Sequence, residues 1–306
     1  VTAASFTVSK IGGNSFTRLY GWEDPELKTP LQNKDIPFLI GNLSQRVATA
    51  ALIELMNSGK IKTSDNALLL TNATSNIPNI NEKWRRASIQ DIIENSYVSR
   101  LGFSYPHNRG LDKYKVKDIS ELNSMHSLTR ILQEPVFVKT NNYYSAAEGI
   151  ITARIIENVE QKSFLESLHQ ILGIKFKLSN TLNFSKDHIV YIQYPNDPSN
   201  RKLRLDAFFS QKFVDGGLGL ACSSRELCGF LEKYWLNSEN KKNSDQVSSR
   251  FYSYIFLSSV VAYQIDDVTQ FVLLMNTKPD RENTALENLR DDLYRVVNSS
   301  KEELIR

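Results

Sequence analysis

The sequence predicts a mixed α/β (α+β) fold in which strands from both ends of the chain form one antiparallel sheet. Three observations support it: β-branched and aromatic runs at the two ends, amphipathic helical patterns between them, and enough apolar residues, 41% of 306, for a large core. We expect a single domain, with an α/β part at about 1–41 and 200–306 and a helical part at about 42–199.

The N-terminal element is predicted to be a hairpin that leads into a helix. Residues 5–21 read SFTVSKIGGNSFTRLYG, two strand-like runs around a Gly-Gly-Asn turn. A polar connector with two prolines follows. Beyond Asn42 apolar residues recur at three- and four-residue steps, and Gly59 is placed to end that helix.

Further helices are predicted in the middle of the chain and further strands near its end. Ser88 and Asp91 resemble a capping box, and helical patterns cover residues 144–161 and 163–172. HIVYIQY is a strand-like run within this helical part. The last third contains FYSYIFLSSVVAYQ and VTQFVLLMN, two strand regions, and a closing amphipathic helix from about Asn283.

Composition excludes several classes of function. The net charge is +3 and the basic clusters are short and lack interleaved aromatic residues, so we expect no nucleic-acid partner. No run approaches the roughly 18 apolar residues of a membrane helix. The four histidines lack metal-ligand spacing, so neither metal nor cofactor is predicted. Cys222 and Cys228 lie six apart, which on a helix places them on opposite sides and disfavours a disulfide.

Five stretches, in order over nearly the whole chain, match the motifs of one family. Residues 20–45 correspond to a family segment with a Gly-Tyr/Trp stretch, a Thr-Pro connector and an F-x-I-G-S-x-S-K helix start. The other four stretches are YSAAEGIITARIIE, SFLESLHQILGI, VDGGLGLACSSRELCGFL and FLSSVVAYQIDDVTQFVLLMN. They resemble the serine β-lactamase and penicillin-binding-protein superfamily, especially its class C and esterase-like branch. The resemblance implies a β-lactamase/transpeptidase-like antiparallel sheet flanked by helices, with an inserted all-helical lobe.

The positions that carry chemistry in that family have changed here. The family transfers acyl groups through Ser-x-x-Lys, Tyr-x-Asn and Lys-Thr-Gly or His-x-Gly motifs, because a serine hydroxyl needs a nearby base to attack. The resemblance places the nucleophile at Asn42 and the lysine at Gln45, two neutral amides. The Tyr-x-Asn motif falls on Tyr144, Ser145 and Ala146, so the tyrosine remains and the asparagine is absent.

Two more elements of the family site also differ. The third motif should lie near SSRFY, where neither Lys-Thr-Gly nor His-x-Gly occurs, and the loop that reads H-T-S-G in the family is NSYV at residues 95–98. Four elements of the family's catalytic site are therefore not matched in this sequence, whereas the five stretches match outside those positions. The resemblance therefore implies a catalytically degenerate member, a pseudoenzyme.

A serine hydrolase with relocated catalytic residues, esterase, β-lactamase or D-Ala-D-Ala peptidase-like, is the alternative. Ser44 lies about 200° round the helix from Asn42, and Val47, three residues on, cannot act as a base. Arg46 stays protonated. Two Ser-x-x-Lys strings, at 199–202 and 238–241, fall in polar loops rather than at a helix start.

Four residues are ligand-binding candidates: Asn42, Tyr144, Gly216 and Gly217. Tyr144 either hydrogen-bonds a ligand in the cleft or packs at the start of its helix, and the sequence leaves both open. The two glycines lack the Gly-Lys-Ser/Thr continuation of a phosphate loop, so close backbone approach is the favoured interpretation.

The expected role follows from the family rather than from the residues. The resemblance implies a binding or structural component of a bacterial cell-envelope or secretion assembly, with protein partners and a peptidoglycan-like peptide as a candidate ligand. It also implies a periplasmic or otherwise extracytoplasmic location, although the residues leave a cytoplasmic one open. A fold does not specify the role of a protein that has lost its chemistry.

Overall fold

The structure is a computed structural model that describes residues 3–24, 29–73, 77–94, 96–99, 117, 121–138, 146–178, 215–236, 250–255, 258–266, 268–275 and 284–304. Its strands are β1 (Ala3–Lys10), β2 (Ser15–Asp24), β3 (Thr29–Pro30), β4 (Phe38–Leu39), β5 (Tyr97–Ser99), β6 (Val136–Val138), β7 (Lys177–Leu178), β8 (Leu220–Cys222), β9 (Arg250–Ile255), β10 (Ser258–Gln264) and β11 (Thr269–Met275). Its helices are α1 (Leu43–Asn57), α2 (Ala67–Leu70), α3 (Glu82–Arg86), α4 (Ile89–Ile93), α5 (Ser124–Gln133), α6 (Ala147–Glu160), α7 (Phe164–Leu172), α8 (Ser224–Leu231) and α9 (Thr284–Leu304).

The main sheet joins the two ends of the chain, as the sequence predicts. Its strand order is β3-β2-β1-β11-β10-β9, and every neighbouring pair is antiparallel. β1 lies between β2 and β11, with Ala4 opposite Met275 and Lys10 opposite Thr269. The mixed α/β fold class with an antiparallel sheet is confirmed.

Helix α9 covers one face of this sheet with an apolar core. Strand alternation places every second residue of β1 on that face. Tyr263 stacks on Phe271 with ring centroids 5.8 Å apart and meets Tyr294 of α9 at 4.8 Å. The buried residues of this core are Ala4, Phe6, Val8, Val261, Tyr263, Phe271, Leu273, Met275 and Val297.

Helix α8 packs on the other face through neutral polar side chains. Ser224 Oγ lies 2.7 Å from Ser5 Oγ and 2.6 Å from Thr7 Oγ1, and Thr7 Oγ1 lies 2.9 Å from Thr17 Oγ1. Gln270 Nε2 donates to the carbonyl of Cys228 over 2.8 Å. We call this hydrogen-bonded set the α8 seam; its buried hydroxyls hydrogen-bond to one another.

The chain separates into two compact units between Gly41 and Asn42. The sheet unit comprises the described residues of 3–41 and 221–304, and the helical unit those of 42–178 and 215–220. Residues 215–220 therefore belong with the helices, whereas the sequence assigned everything from about 200 onward to the α/β part. That the two units make a single domain stays a prediction.

Helix α6 is the centre of the helical unit. Its residues 147–156 are all buried, as expected of a helix that is surrounded by others. It packs against α1, α2, α5 and α7. The unit also contains a short antiparallel pair, β5 with β6, in a stretch where the sequence suggested only helices and loops; three-residue strands are too short to give a readable alternation.

The local elements mostly follow their sequence signals. Ser88 and Asp91 form the expected capping box, and Gly59 has a φ of +75° just after α1. Cys222 and Cys228 are both free and buried. The helical argument against a disulfide was wrong in its premise, because Cys222 lies in β8, before α8 begins. HIVYIQY lies outside the described residues.

Candidate functional site

The turn at Asp215–Gly219, here called the DGGLG turn, packs directly on the backbone of α6. It forms a single π-helical turn and is fully buried. A Cβ on Gly149 or on Gly216 would lie closer than 3.0 Å to the carbonyl oxygen of the other residue, and one on Gly217 would lie 2.7 Å from Ala146 O. Glycine is therefore required because two backbones are in contact, which favours packing over phosphate binding for Gly216 and Gly217.

The start of α1 packs against the same turn. Gly41 has a φ of +54°, and Asn42 then enters the helical conformation and precedes Leu43, the first helical residue. Ser44 is fully buried, and its Oγ accepts a hydrogen bond from Leu220 N over 3.1 Å. Gln45 is 6% exposed and Asn42 half-buried. The two positions matched to the family's serine and lysine thus stand at a regular, well-packed helix start.

The start of α6 brings the second matched motif to the DGGLG turn. Ala146 is the residue before the helix and contacts Gly217, while Tyr144 lies outside the described residues. The family pattern Y-S-N-x-G puts glycine four residues after tyrosine, and Gly149 lies five after Tyr144. Counting back from Gly149 moves the asparagine position to Ala147. In either register the amide is replaced by a methyl group.

The starts of α1 and α6 differ from the other described helix starts. The helices α2, α3, α4, α5, α7 and α8 each begin with a side chain that accepts a backbone N–H: Asn66, Asn81, Ser88, Asn123, Ser163 and Ser223. Asn42 and Ala146 make no such bond. The first N–H groups of a helix attract electronegative groups. The two helix starts at the matched site therefore lack the usual side-chain partner.

A buried ionic cluster lies on the α6 side of the DGGLG turn, and the sequence reasoning missed it. Arg154 Nη2 pairs with Asp215, and Nη1 donates to Glu157 Oε2 over 2.5 Å and to Ser124 Oγ over 2.8 Å. Burial raises the pKa of Asp215 to about 6, although Arg154 and the Gly216 N–H act in the opposite direction. An arginine inside the apolar run GIITARIIENVE was the available signal.

Several predicted site elements lie outside the described residues. They are Tyr144, Asn95, the SS of SSRFY at 248–249 and the two Ser-x-x-Lys strings at 199–202 and 238–241. His126 accepts the backbone N–H of Asn123 in a capping box, and His169 is exposed near the end of α7. Within the described part of the chain no three His, Cys, Asp or Glu residues are grouped so that they could hold a metal ion.

The two thiols have the properties of structural cysteines. Burial is the largest cause that raises the pKa of Cys222 well above its ordinary value and that of Cys228 to about 12. A thiol rather than a thiolate is a poor nucleophile. Neither cysteine is a candidate for covalent catalysis.

Comparison with solved structures identifies the fold. The hydrolase EstCE1, with promiscuous acyltransferase activity, is 14% identical over 96% of this chain and 94% of its own, with a TM-score of 0.67. FmtA from Staphylococcus aureus is 17% identical over 99% of this chain and 85% of its own, with a TM-score of 0.64. The D-amino acid amidase from Ochrobactrum anthropi SV3, complexed with L-phenylalanine amide, is 14% identical over 99% of this chain and 94% of its own, also with a TM-score of 0.64. No protein-family model and no curated protein sequence matches the chain.

Two of these neighbours are named as enzymes, a hydrolase and an amidase. The chain has the fold of the serine β-lactamase and penicillin-binding-protein-like superfamily, as its sequence motifs predict. At these identities the likeness establishes the fold alone. None of the helices in the described part of the chain has the length and apolar character to cross a bilayer.

Proposed function

We propose that the chain is a non-catalytic protein with a penicillin-binding-protein-like fold, which binds a ligand or partner without cleaving it. One observation supports the proposal: the positions that the sequence match assigns to the family's nucleophile and lysine hold Asn42 and Gln45, at a regular helix start. Neither amide can attack a carbonyl as a serine–lysine pair does.

The surroundings of Ser44 argue against a neighbouring serine as a substitute nucleophile. Its side chain is fully buried, and its oxygen already accepts the N–H of Leu220. Val47, one turn on, is a buried apolar residue. A hydroxyl in this position helps to hold Leu220 on α1 and has no base beside it on the helix.

The retained scaffold supports a binding role. The DGGLG turn keeps the starts of α1 and α6 in fixed places, and both starts lack a side-chain cap. Solved neighbours with this fold include penicillin-binding-protein homologues and an amidase complexed with D-phenylalanine. The ligand class we propose is a peptidoglycan-like peptide, whose carbonyl and carboxylate oxygens suit helix N–H donors.

We further propose that the protein works in a bacterial envelope, as a subunit of a cell-envelope or secretion assembly. The support is the fold, because penicillin-binding proteins act on envelope material. Protein partners would then contribute to its function as much as the site does. Capture of cross-linked partners from native envelopes, with the same chain added to a cytosolic fraction as control, tests this location directly.

Covalent labelling tests the non-catalytic proposal. The full chain is treated with a fluorescent penicillin and with a fluorophosphonate, and the expected result is no labelling of any serine. Labelling that disappears when one serine is changed to alanine would establish the alternative, a hydrolase with relocated residues. Ser44→Ala is the first variant to make, and Ser58→Ala, at the end of the same helix, is its control.

A double substitution separates a lost nucleophile from a remodelled site. Asn42→Ser with Gln45→Lys restores the two family residues on α1, while the asparagine position stays alanine. We expect this variant to remain unlabelled, since the pair is only part of the machinery. Labelling of the restored serine would mean that the rest of the site is intact, and that the chain lost activity only through these two positions.

A further inference from the structure

One guanidinium serves two carboxylates in the interior of the helical unit. The side chains of Arg154 and Asp215 are 9% and 5% exposed, and that of Glu157 is 31% exposed. Asp215 pairs with Nη2 of the arginine, while Glu157 and Ser124 share Nη1. Both terminal nitrogens of the arginine thus make hydrogen bonds, while its buried Nε makes none within the described residues, and the ionised cluster carries one excess negative charge.

The cluster connects the DGGLG turn to three helices. Asp215 is the first residue of the turn and Arg154 and Glu157 belong to α6. Ser124 begins α5, and Oε1 of Glu157 accepts the first N–H of α7, from Phe164, over 3.0 Å. Asp215 is the member of the cluster that belongs to the turn, so its hydrogen bond to Arg154 links the turn to α6.

The charges around Asp215 explain how a proton would act. Within the described residues, the ionised groups that affect its pKa are Arg154, which lowers it, and Glu157, which raises it; both come from α6. Burial is the largest cause and raises the pKa from 3.8 to about 6. With one proton on Asp215, the charges of the arginine and Glu157 balance each other within the cluster.

We infer that Asp215, Arg154 and Glu157 form a proton-operated latch on the DGGLG turn. Uptake of one proton at Asp215 favours the docked turn, and loss of that proton favours its release from α6. The latch lies next to the starts of α1 and α6, so its release would change the packing around the positions matched to the family site, Asn42 and Ala146. It does not depend on whether the chain is catalytic.

The direction follows from linkage. A docked carboxyl with a pKa of about 6 binds its proton more tightly than an undocked, solvated one at its ordinary 3.8. Acidification through pH 6 therefore stabilises the docked form, and a rise above pH 6 removes that gain. For these two values the docking equilibrium changes by about tenfold between pH 7.5 and pH 5.

Hydrogen exchange of the full chain, followed by mass spectrometry across this pH range and corrected for intrinsic rates, tests the latch. The informative amide is that of Leu220, which donates to Ser44 Oγ when the turn is docked. We expect its protection to fall by about tenfold as the pH rises from 5 to 7.5. Protection that does not change with pH would overturn the inference.

Three variants make the result specific. Asp215→Asn keeps the shape without the titration and should give protection that does not depend on pH. Glu157→Gln removes the charge that raises the pKa of Asp215, so the transition should move to lower pH, and this variant decides the matter where Asp215→Asn fails to fold. Glu160→Gln removes another ion pair of α6, with Lys60 at 2.6 Å, and should leave the transition in place.

A transition that persists in Asp215→Asn, or stays at the same pH in Glu157→Gln, contradicts the latch. A shift produced equally by Glu160→Gln also contradicts it, because the effect would then belong to α6 as a whole. None of these outcomes bears on the labelling experiments, so the two proposals fail separately.

Discussion

The α8 seam of the sheet unit and the DGGLG turn of the helical unit bury polar groups in two different ways. In the α8 seam, Ser5, Thr7 and Ser224 satisfy one another as neutral hydroxyls. At the DGGLG turn, Arg154 and Asp215 do so as ions. A neutral seam costs little to desolvate and is indifferent to pH, whereas an ionic one is costly to break and sensitive to protons. The helical unit is therefore where pH should act.

The two regions also differ in how closely the backbones approach. Helix α8 meets the sheet through side chains, and its Gly229 has no neighbour within 4 Å of an added Cβ. Helix α6 meets the DGGLG turn through backbone atoms at Gly149 and Gly216. Gly229 can thus be replaced by a larger residue and Gly149 cannot, although both lie inside helices.

Arg154→Met should have the largest effect. It leaves Asp215 and Glu157 without their shared cation, and removal of one partner from a buried ion pair costs about 3–5 kcal/mol. The pKa of Asp215, which burial already raises, would rise further without the arginine, so the variant should regain stability on acidification. Urea unfolding at pH 7.5 and pH 5 measures this.

Its control is Arg86→Met, which removes the exposed pair with Glu82. We expect a change below about 0.5 kcal/mol, independent of pH. Equal losses in the two variants would mean that the buried cluster is no more important than a surface ion pair, and the contrast between the two regions would be lost.

Gly149→Ala should have the next largest effect. The methyl group meets the carbonyl of Gly216, a backbone atom that cannot rotate away, and overpacking of this kind costs about 1–3 kcal/mol. Gly229→Ala, in the open position of α8, should instead stabilise the protein by up to about 1 kcal/mol through helix propensity. Thermal unfolding of both variants gives the sign of the stability change. A Gly149→Ala protein that is more stable than the parent would contradict the contact between Gly149 and Gly216.

Ser224→Ala should have an intermediate effect. It removes the Ser224 hydroxyl from Ser5 and from Thr7, of which Thr7 keeps its bond to Thr17, and loss of a buried hydrogen-bond partner costs about 1–3 kcal/mol. Because no ionised group takes part, the loss should be the same at pH 5 and pH 7.5. A loss that changes with pH would show that the α8 seam is coupled to a titrating group.

Asn42→Ser should have the smallest effect. Asn42 is half-buried and makes no capping bond, so we expect a change within about 0.5 kcal/mol. Ser163→Ala is the contrast, because Ser163 accepts the N–H of Glu166 at the start of α7, and loss of such a cap costs about 1 kcal/mol. Chemical denaturation of the two variants compares a bare helix start with a capped one.

The sequence predicted the elements that carry short-range signals. The Gly-Gly-Asn hairpin, the capping box at Ser88 and the helices of 43–57 and 164–172 are present as expected. The fold was predicted from family motifs and is confirmed. The degenerate chemistry at Asn42 and Gln45 stays a prediction, which the covalent labelling experiment tests.

Long-range contacts could not be predicted in the same way. Arg154 and Asp215 are 61 residues apart, and although Arg154 lies inside an apolar run, nothing in the local sequence of either residue indicates its partner. The pairing of Ser44 with Leu220, 176 residues away, was equally hidden. No periodicity links such positions, because their proximity results from the packing of α1, α6 and the DGGLG turn together.

The sequence by itself determined the main strands and helices, the fold they imply and the presence of two amides where the family motif has serine and lysine, because those features depend on local patterns and residue identity. Only the tertiary structure decided that Ser44 is enclosed, that Gly149 and Gly216 must lack side chains, and that one arginine is shared by two carboxylates. The physical reason is that burial and charge balance depend on which distant segments meet, and those meetings set both the environment of a group and its affinity for a proton.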